Sequence, residues 1–379
     1  MADVKVKRRK EGDPWIVLAT LALSLFGLVM VFSASYYSAL SKTGSPYTYL
    51  RSDFMFIVLG WILFIFCANV DFHFWKALAW PALGVGIVLL LLIFTPLAIT
   101  LNNATRWLDF KIITVMPGEV IKSSLIFFLA YYYGDDPYKV RSLKSNLPVL
   151  GITALCFLLI YKQPNLSTAG TVVILVLAMM FIAGLQLYWI VGAAALGVGA
   201  FVVIVLSPAG RYMLTRVQTF FDPFKDMLGS GYQVVQALLA LGSGGVLGKG
   251  LGKGVQKMLY LPEAESDFIF AIIGEELGYV GCLALMFAYL FLIWRCFKVC
   301  IKAPDRFGML LASGISLHLA IQVILNIAVV SASFFPTGIV LPFISLGGNA
   351  MLLFLAEMGI LFNISKHSID IQQLAAAEA

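Results

Sequence analysis

Residues 15–38 read WIVLATLALSLFGLVMVFSASYYS, an unbroken stretch with no charged side chain. A helix needs about 20 predominantly apolar residues to cross the hydrocarbon core of a bilayer, and this one has them. Lys5, Lys7, Arg8, Arg9 and Lys10 precede it, as basic residues precede the apolar part of a secretory leader. The stretch is too long for a leader and runs straight on into further apolar segments, so a retained signal anchor is expected.

Outward from this helix the pattern repeats. Apolar residues make up 61% of the 379 positions, charged residues only 12%, and mean hydropathy is +0.94. Soluble domains carry about 25% charged residues, so the composition excludes an ordinary soluble fold. Apolar runs at 15–38, 54–70, 77–99, 120–134, 147–161, 169–184, 186–207, 268–297, 309–331 and 340–363 predict an all-α polytopic protein of about ten transmembrane helices. A single membrane domain is expected over 1–379. Residues 1–14 form a basic arm, 207–266 a large loop between helices seven and eight, and 364–379 a polar tail. No internal repeat is visible, which disfavours inverted-repeat transporter folds.

Basic residues set the orientation. With the N-terminus inside, the cytoplasmic side collects fourteen of them, against five in the short outer loops (Lys42, Arg51, Arg106, Lys111 and Lys162). Both termini are therefore expected in the cytoplasm and the 207–266 loop outside. Long translocated loops are free to carry charge, and this one has six bases. Cys67, Cys156 and Cys282 lie inside apolar runs, while Cys296 and Cys300 lie at a cytoplasmic helix end. No disulfide framework follows. With His73, His318 and His367 the only histidines, and none placed to complete a zinc site, no metal site is predicted.

A glycine- and lysine-rich polar tract between long apolar helices reads GSGGVLGKGLGKGVQKMLYLPEAESDFIFAIIGEELGYVG at 242–281. It is not an ATP-binding loop. A phosphate loop needs glycine five residues before its Gly-Lys pair and Ser or Thr after it, whereas Ser243 and Leu247 occupy the first positions and Gly250 and Gly254 the last. Asp267 stands where the eighth helix opens. One reading is a helix N-terminal carboxylate favoured by the macrodipole, with Ser266 as the cap; the other is a general base at the outer mouth of a membrane cavity. Glu275 and Glu276 lie deeper in the same helix, where ionisable groups are costly and are functional candidates by default. Lys249, Lys253 and Lys257 recur every four residues and, if helical, form one basic stripe able to hold phosphate; otherwise they belong to a solvated loop. Glu119 and Lys122, three apart, share a helix face as a local ion pair or part of a polar pocket. Arg106 and Trp107 precede them, and Arg216 lies in the large loop.

The stretch GYQVVQALLALGSGGVLGKGLGKGVQKMLYLPEAESDFIFAIIGEELGYVG (231–281) resembles the signature of the SEDS family: FtsW, RodA and SpoVE. MVFSAS (30–35), RW (106–107), PGEVIK (117–122), RVQTFFDP (216–223) and PTGIVLPFISLGGNA (336–350) follow in family order, over nearly the whole chain. The LPEA wording before Asp267 leans towards the FtsW/SpoVE branch.

The resemblance implies a peptidoglycan glycosyltransferase polymerising lipid II at the outer face of the plasma membrane, in division or sporulation, beside a class B penicillin-binding protein. Asp267 matches the family's essential loop aspartate and would be the general base. Arg106, Trp107, Glu119, Lys122, Arg216, Lys249, Lys253, Lys257, Glu275, Glu276 and Ser345 would form the substrate site. A divalent cation, Mg or Mn, could share the neutralisation of diphosphate, although no ligand set for it stands out. Lipid II, the transpeptidase and membrane lipids are the expected partners, and nucleic acid is not. Two departures stand out: MPGE (116–119) replaces the family's QPSE, and QPNLST (163–168) replaces QPDLGT, with Asn165 in place of an acid. They suggest a divergent, sporulation-type member. Two other functions compete: a lipid II flippase, and a non-catalytic scaffold that recruits the transpeptidase.

Overall fold

Each of the ten apolar runs contains a helix in the computed structural model, which describes residues 11–101, 104–111, 114–206 and 211–368. The first, α1 (Pro14–Thr43), starts where Asp13 accepts a hydrogen bond from the Trp15 amide at 3.1 Å and Pro14 presets the first turn. It is followed by α2 (Thr48–Asn69), α3 (Phe74–Leu92), α4 (Pro117–Gly134), α5 (Leu143–Tyr161), α6 (Leu166–Ala183) and α7 (Leu187–Leu206). Then come α8 (Arg211–Phe221), α9 (Tyr232–Gly244), α10 (Ile269–Ile301), α11 (Arg306–Val330) and α12 (Gly348–Lys366). Among the described residues eight helices are long and apolar enough to span a membrane: α1, α2, α3, α5, α6, α10, α11 and α12. The shortfall from ten has a local cause in each remaining case. Glu119, Lys122 and three tyrosines dilute α4, and the described apolar stretch of α7 is short.

Two expected boundaries move inward at a proline, and one run is broken at a glycine. The run 77–99 ends as a helix at Leu92 because Pro96 has no amide proton and disfavours helix in the residue before it. Residues 98–115 instead form a small antiparallel sheet of β1 (Ala98–Leu101), β2 (Ala104–Asp109) and β3 (Thr114–Val115), with Ile99 opposite Trp107 and Leu108 opposite Val115. The run 340–363 becomes helical only at Gly348, beyond Pro342. The run 268–297 extends to Ile301 and is broken at Gly278, whose φ of 68° and ψ of −167° lie outside the helical region.

The 207–266 segment is not all loop. Its α9 is apolar and packs Val234, Val235, Ala237 and Ala240 into the protein, chiefly against α10. Within the bundle α11 is central, packed on α4, α6, α10 and α12, while α12 also lies along α2 and α4 along α3. At the margin, α7 touches mainly α6 and α8. All five cysteines are free and buried.

Candidate functional site

Three consecutive carbonyls fix the loop that carries Asp267. The Glu265 carbonyl accepts from the Leu346 amide at 2.9 Å, the Ser266 carbonyl from Ser345 Oγ at 2.6 Å, and the Asp267 carbonyl from Asn326 Nδ2 at 2.9 Å. The same Asn326 amide group donates to the Ile339 carbonyl at 2.6 Å, so one buried side chain of α11 clamps the loop to the 336–347 segment. Ser345 Oγ also accepts from the Leu341 amide at 2.8 Å; both its bonds serve to hold backbone. Ser38 Oγ of α1 donates to the Glu265 carboxylate at 2.9 Å and adds a third wall.

Asp267 itself is half-buried, and among the described residues no donor reaches its carboxylate. Desolvation, reinforced by the negative charge of Glu263 and opposed by Arg106, pushes it up to about 7 from the ordinary carboxylate value. The helix-capping reading does not hold. Helix α10 starts at Ile269 with Phe268 as its cap residue and no side-chain cap, and Ser266 Oγ turns instead to the Glu263 carboxylate at 2.9 Å.

Arg106, on β2, shares this site. Its Nη2 donates to the Pro164 carbonyl at 2.6 Å, and a methyl group on Gly338 would lie 3.2 Å from Asp267 Oδ2 and 3.6 Å from Arg106 Nη1. Glycine at 338 thus leaves open the space between the Asp267 carboxylate and the guanidinium. Arg216 reaches the same segment by donating to the Pro336 carbonyl at 2.5 Å. Trp107 is held in the sheet opposite Ile99. Asn165 caps α6 by accepting from the Thr168 amide at 3.3 Å, one residue from the carbonyl that Arg106 holds. An amide can do the capping work of an acid there without its charge.

The lysine stripe does not form, because residues 245–268 make turns rather than a helix. The tract instead wraps the deep end of the acidic pair. Glu275, fully buried, accepts from Lys249 Nζ at 2.7 Å and from the Val255 and Gln256 amides at 2.8 and 3.0 Å. Glu276, also fully buried, accepts from Lys257 Nζ at 2.5 Å, Ser33 Oγ at 2.8 Å and the Gly252 and Gly254 amides at 3.0 and 3.3 Å. The wrap needs Gly248 (φ +77°), since a methyl group there would sit 2.2 Å from the Glu276 carbonyl at the α10 break. Of the three lysines Lys257 is buried, while Lys249 and Lys253 are exposed. Glu119 and Lys122 do pair, at 2.8 Å, and Lys122 Nζ also donates to Gln322 Oε1 at 3.0 Å. With Lys122 2% exposed, that pair lies inside the bundle.

Asn326, Gly338 and a second intramembrane pair were not singled out by sequence. His318 Nδ1 is 3.0 Å from Glu357 Oε2, and Ser123 Oγ donates to Glu357 Oε1 at 2.6 Å. A signal existed: His318, Gln322 and Asn326 recur every four residues and so lie on one face of α11, and Glu357 is the lone acid of the last apolar run. Among the described residues no three His, Cys, Asp or Glu side chains converge, so the described side chains do not by themselves form a site for Mg or Mn.

Residues 14–370 match the family model for FtsW, RodA and SpoVE, described as "Cell cycle protein". Stage V sporulation protein E of Bacillus subtilis is 36% identical over 363 residues, 95% of this chain and 99% of that protein. The probable peptidoglycan glycosyltransferase FtsW of Trichlorobacter lovleyi is 35% identical over 360 residues, 94% of each. Among solved structures, a chain of a peptidoglycan synthase complex that coordinates polymerization and crosslinking superposes with a TM-score of 0.76 at 27% identity, covering 93% of this chain and 97% of that one. Thermus thermophilus rod shape determining protein RodA gives 0.68 at 26% identity, covering 95% and 98%.

Proposed function

The chain belongs to the FtsW, RodA and SpoVE family of membrane proteins, and we propose that it is a peptidoglycan glycosyltransferase polymerising lipid II. Relatives of both kinds, sporulation protein and FtsW, support a role in division or sporulation. Likeness to a chain of a synthase complex supports work beside a crosslinking transpeptidase of the class B penicillin-binding type. The excess of basic residues on one set of loops supports cytoplasmic termini, with the Asp267 loop on the outer face of the plasma membrane. The chain acts as a single membrane domain from arm to tail.

The observation that carries the reading is Asp267: backbone clamped, carboxylate without a donor among the described residues, titration brought close to neutral, and a guanidinium across the gap beside Gly338. A general base works best with its pKa near the working pH. In the reaction the acceptor sugar's 4-hydroxyl gives its proton to Asp267 and its oxygen bonds to the donor's anomeric carbon. The bond to undecaprenyl diphosphate breaks on the opposite face, and the α-linked donor becomes a β-1,4 linkage. Arg106, beside Gly338, and Arg216, bound to the Pro336 carbonyl of the same segment, take up the diphosphate charge, which grows as that bond breaks. Ser345 acts through the Ser266 carbonyl as a positioning residue, and the Lys249–Glu275 and Lys257–Glu276 pairs shape the wall rather than meet the sugar.

Lipid II translocation is the second reading, favoured by the buried His318–Glu357 and Lys122–Glu119 pairs, since ionisable groups at membrane depth mark transport paths in other proteins. Labelled lipid II incubated with the purified protein, alone and with its transpeptidase, separates the two. Glycan strands are expected. Lipid II crossing vesicle membranes with no strands formed under either condition would replace polymerisation with transport, and neither activity would leave a scaffold.

A further inference from the structure

Where α1 starts and α10 and α12 end, the bundle encloses a hollow of about 220 Å³ that the chemistry above does not use. Arg295, Lys298 and Lys302 line it from the last turns of α10, Asp13 from the cap of α1, and Ser365 and Ser368 from the end of α12. Cations at a helix C-terminus are favoured by the dipole alone. That explains their charge but not their convergence on one cavity, nor what they meet there. Arg295 is paired with the Asp13 carboxylate, and the Asp13 amide donates to Ser365 Oγ at 2.9 Å. The Arg295 Nε–H is buried with no acceptor. Lys298 and Lys302 have no acidic partner among the described residues; Lys298 Nζ rests 4.4 Å from the centre of the Trp294 ring. Among the described residues, with Asp13 cancelling Arg295, two positive charges are left over in the hollow.

Aromatic rings stand next to these lining residues: Trp294 lies under Lys298 and the Trp15 amide donates to Asp13. Trp15 and Trp294 are half exposed, and each lies 5.9 Å from the Phe291 ring centre, making a short belt of rings. Tryptophans of membrane proteins gather at headgroup depth, and basic pockets between helices at that depth hold anionic headgroups. We propose that this hollow binds the phosphodiester headgroup of an anionic glycerophospholipid. Its phosphate oxygens lie between the Lys298 and Lys302 ammonium groups, its glycerol hydroxyls face Ser365 and Ser368, and its acyl chains run along the Trp15–Phe291–Trp294 face. The bound lipid bridges the start of α1 to the ends of α10 and α12. The proposal depends neither on the reaction nor on which leaflet this end faces.

The full-length protein in detergent, incubated with phosphatidylglycerol or phosphatidylcholine and read by native mass spectrometry, tests it. Wild type is expected to retain phosphatidylglycerol well above phosphatidylcholine. The Lys298→Gln/Lys302→Gln double variant is expected to retain roughly thirtyfold less phosphatidylglycerol, from the summed contribution of two basic groups at a lipid surface. Lys302→Gln alone, at a half-exposed position, gives a smaller loss in the same direction should the double variant fold poorly. Inorganic phosphate is expected neither to displace the lipid nor to raise the melting temperature. Equal retention of the two lipids, or equal retention by wild type and both variants, overturns the proposal. Stabilisation by inorganic phosphate as strong as by phosphatidylglycerol overturns the lipid assignment in favour of a free anion.

Discussion

Asp267 is placed by contacts that its own side chain does not make. The carbonyls of Glu265, Ser266 and Asp267 are each held from another segment, so the carboxylate is aimed without being occupied. Its desolvated setting gives a pH signature. A base acts only when ionised, and with Asp267 pushed up to about 7 the rate constant kcat/KM is expected to rise with pH through about 7, then level off. Because Arg106 holds that value down, Arg106→Gln is expected to move the inflection to higher pH; a profile unchanged by that substitution would detach the two residues. Asn326→Leu removes both donors of the clamp. It is expected to cost about 1–3 kcal/mol of stability for the two stranded carbonyls and to lower kcat by about tenfold or more as the base loses its aim. Purified variant in a thermal melt and a turnover assay reads both quantities, and a stability loss with full kcat would make Asn326 structural only. Asp267 could be picked out from sequence because it follows a polar loop in the family's wording. Asn326 could not, since one amide in an apolar run says nothing about which carbonyls it will meet.

At the scale of elements, the 245–257 tract is the clearest case of a pattern whose meaning depended on backbone. Lysines every four residues suit a helical stripe, yet seven glycines between 242 and 254 favour turns. The turns fold back on α10, and two of the three lysines end on buried glutamates. Removing one partner of such a pair strands a buried charge, at a cost of about 3–5 kcal/mol. Lys257→Met is therefore expected to lower the melting temperature sharply, and the double variant Lys257→Met/Glu276→Gln to recover part of that loss. Additive losses in a double-mutant cycle would show that the pair is not coupled. That the ten apolar runs are helical was legible because such runs are long and nearly uncharged. Only eight helices among the described residues are long and apolar enough to span a membrane, however, and helix ends were less legible. Pro96 and Pro342 set two ends locally, Gly278 breaks α10 inside its length, and the β1–β2–β3 sheet replaces what reads as the tail of an apolar run.

For the whole molecule, ionisable groups lie at two depths. Inside the bundle, Lys122–Glu119 and His318–Glu357 are paired on the facing surfaces of α4, α11 and α12, while Asp53 of α2 is buried with neither carboxylate oxygen hydrogen-bonded among the described residues. Those around Asp267 are left partly open to the surface. The proposed polymerisation uses Asp267 as an accessible base, whereas the transport reading rests on the inner pairs. The most direct measurement is therefore polymerisation of labelled lipid II by the protein with its transpeptidase, for wild type against Asp267→Asn. Glycan strands from wild type and none from the variant, with partner binding retained by both, are the predicted result. Strands formed equally by both would contradict the assignment of Asp267 as the base.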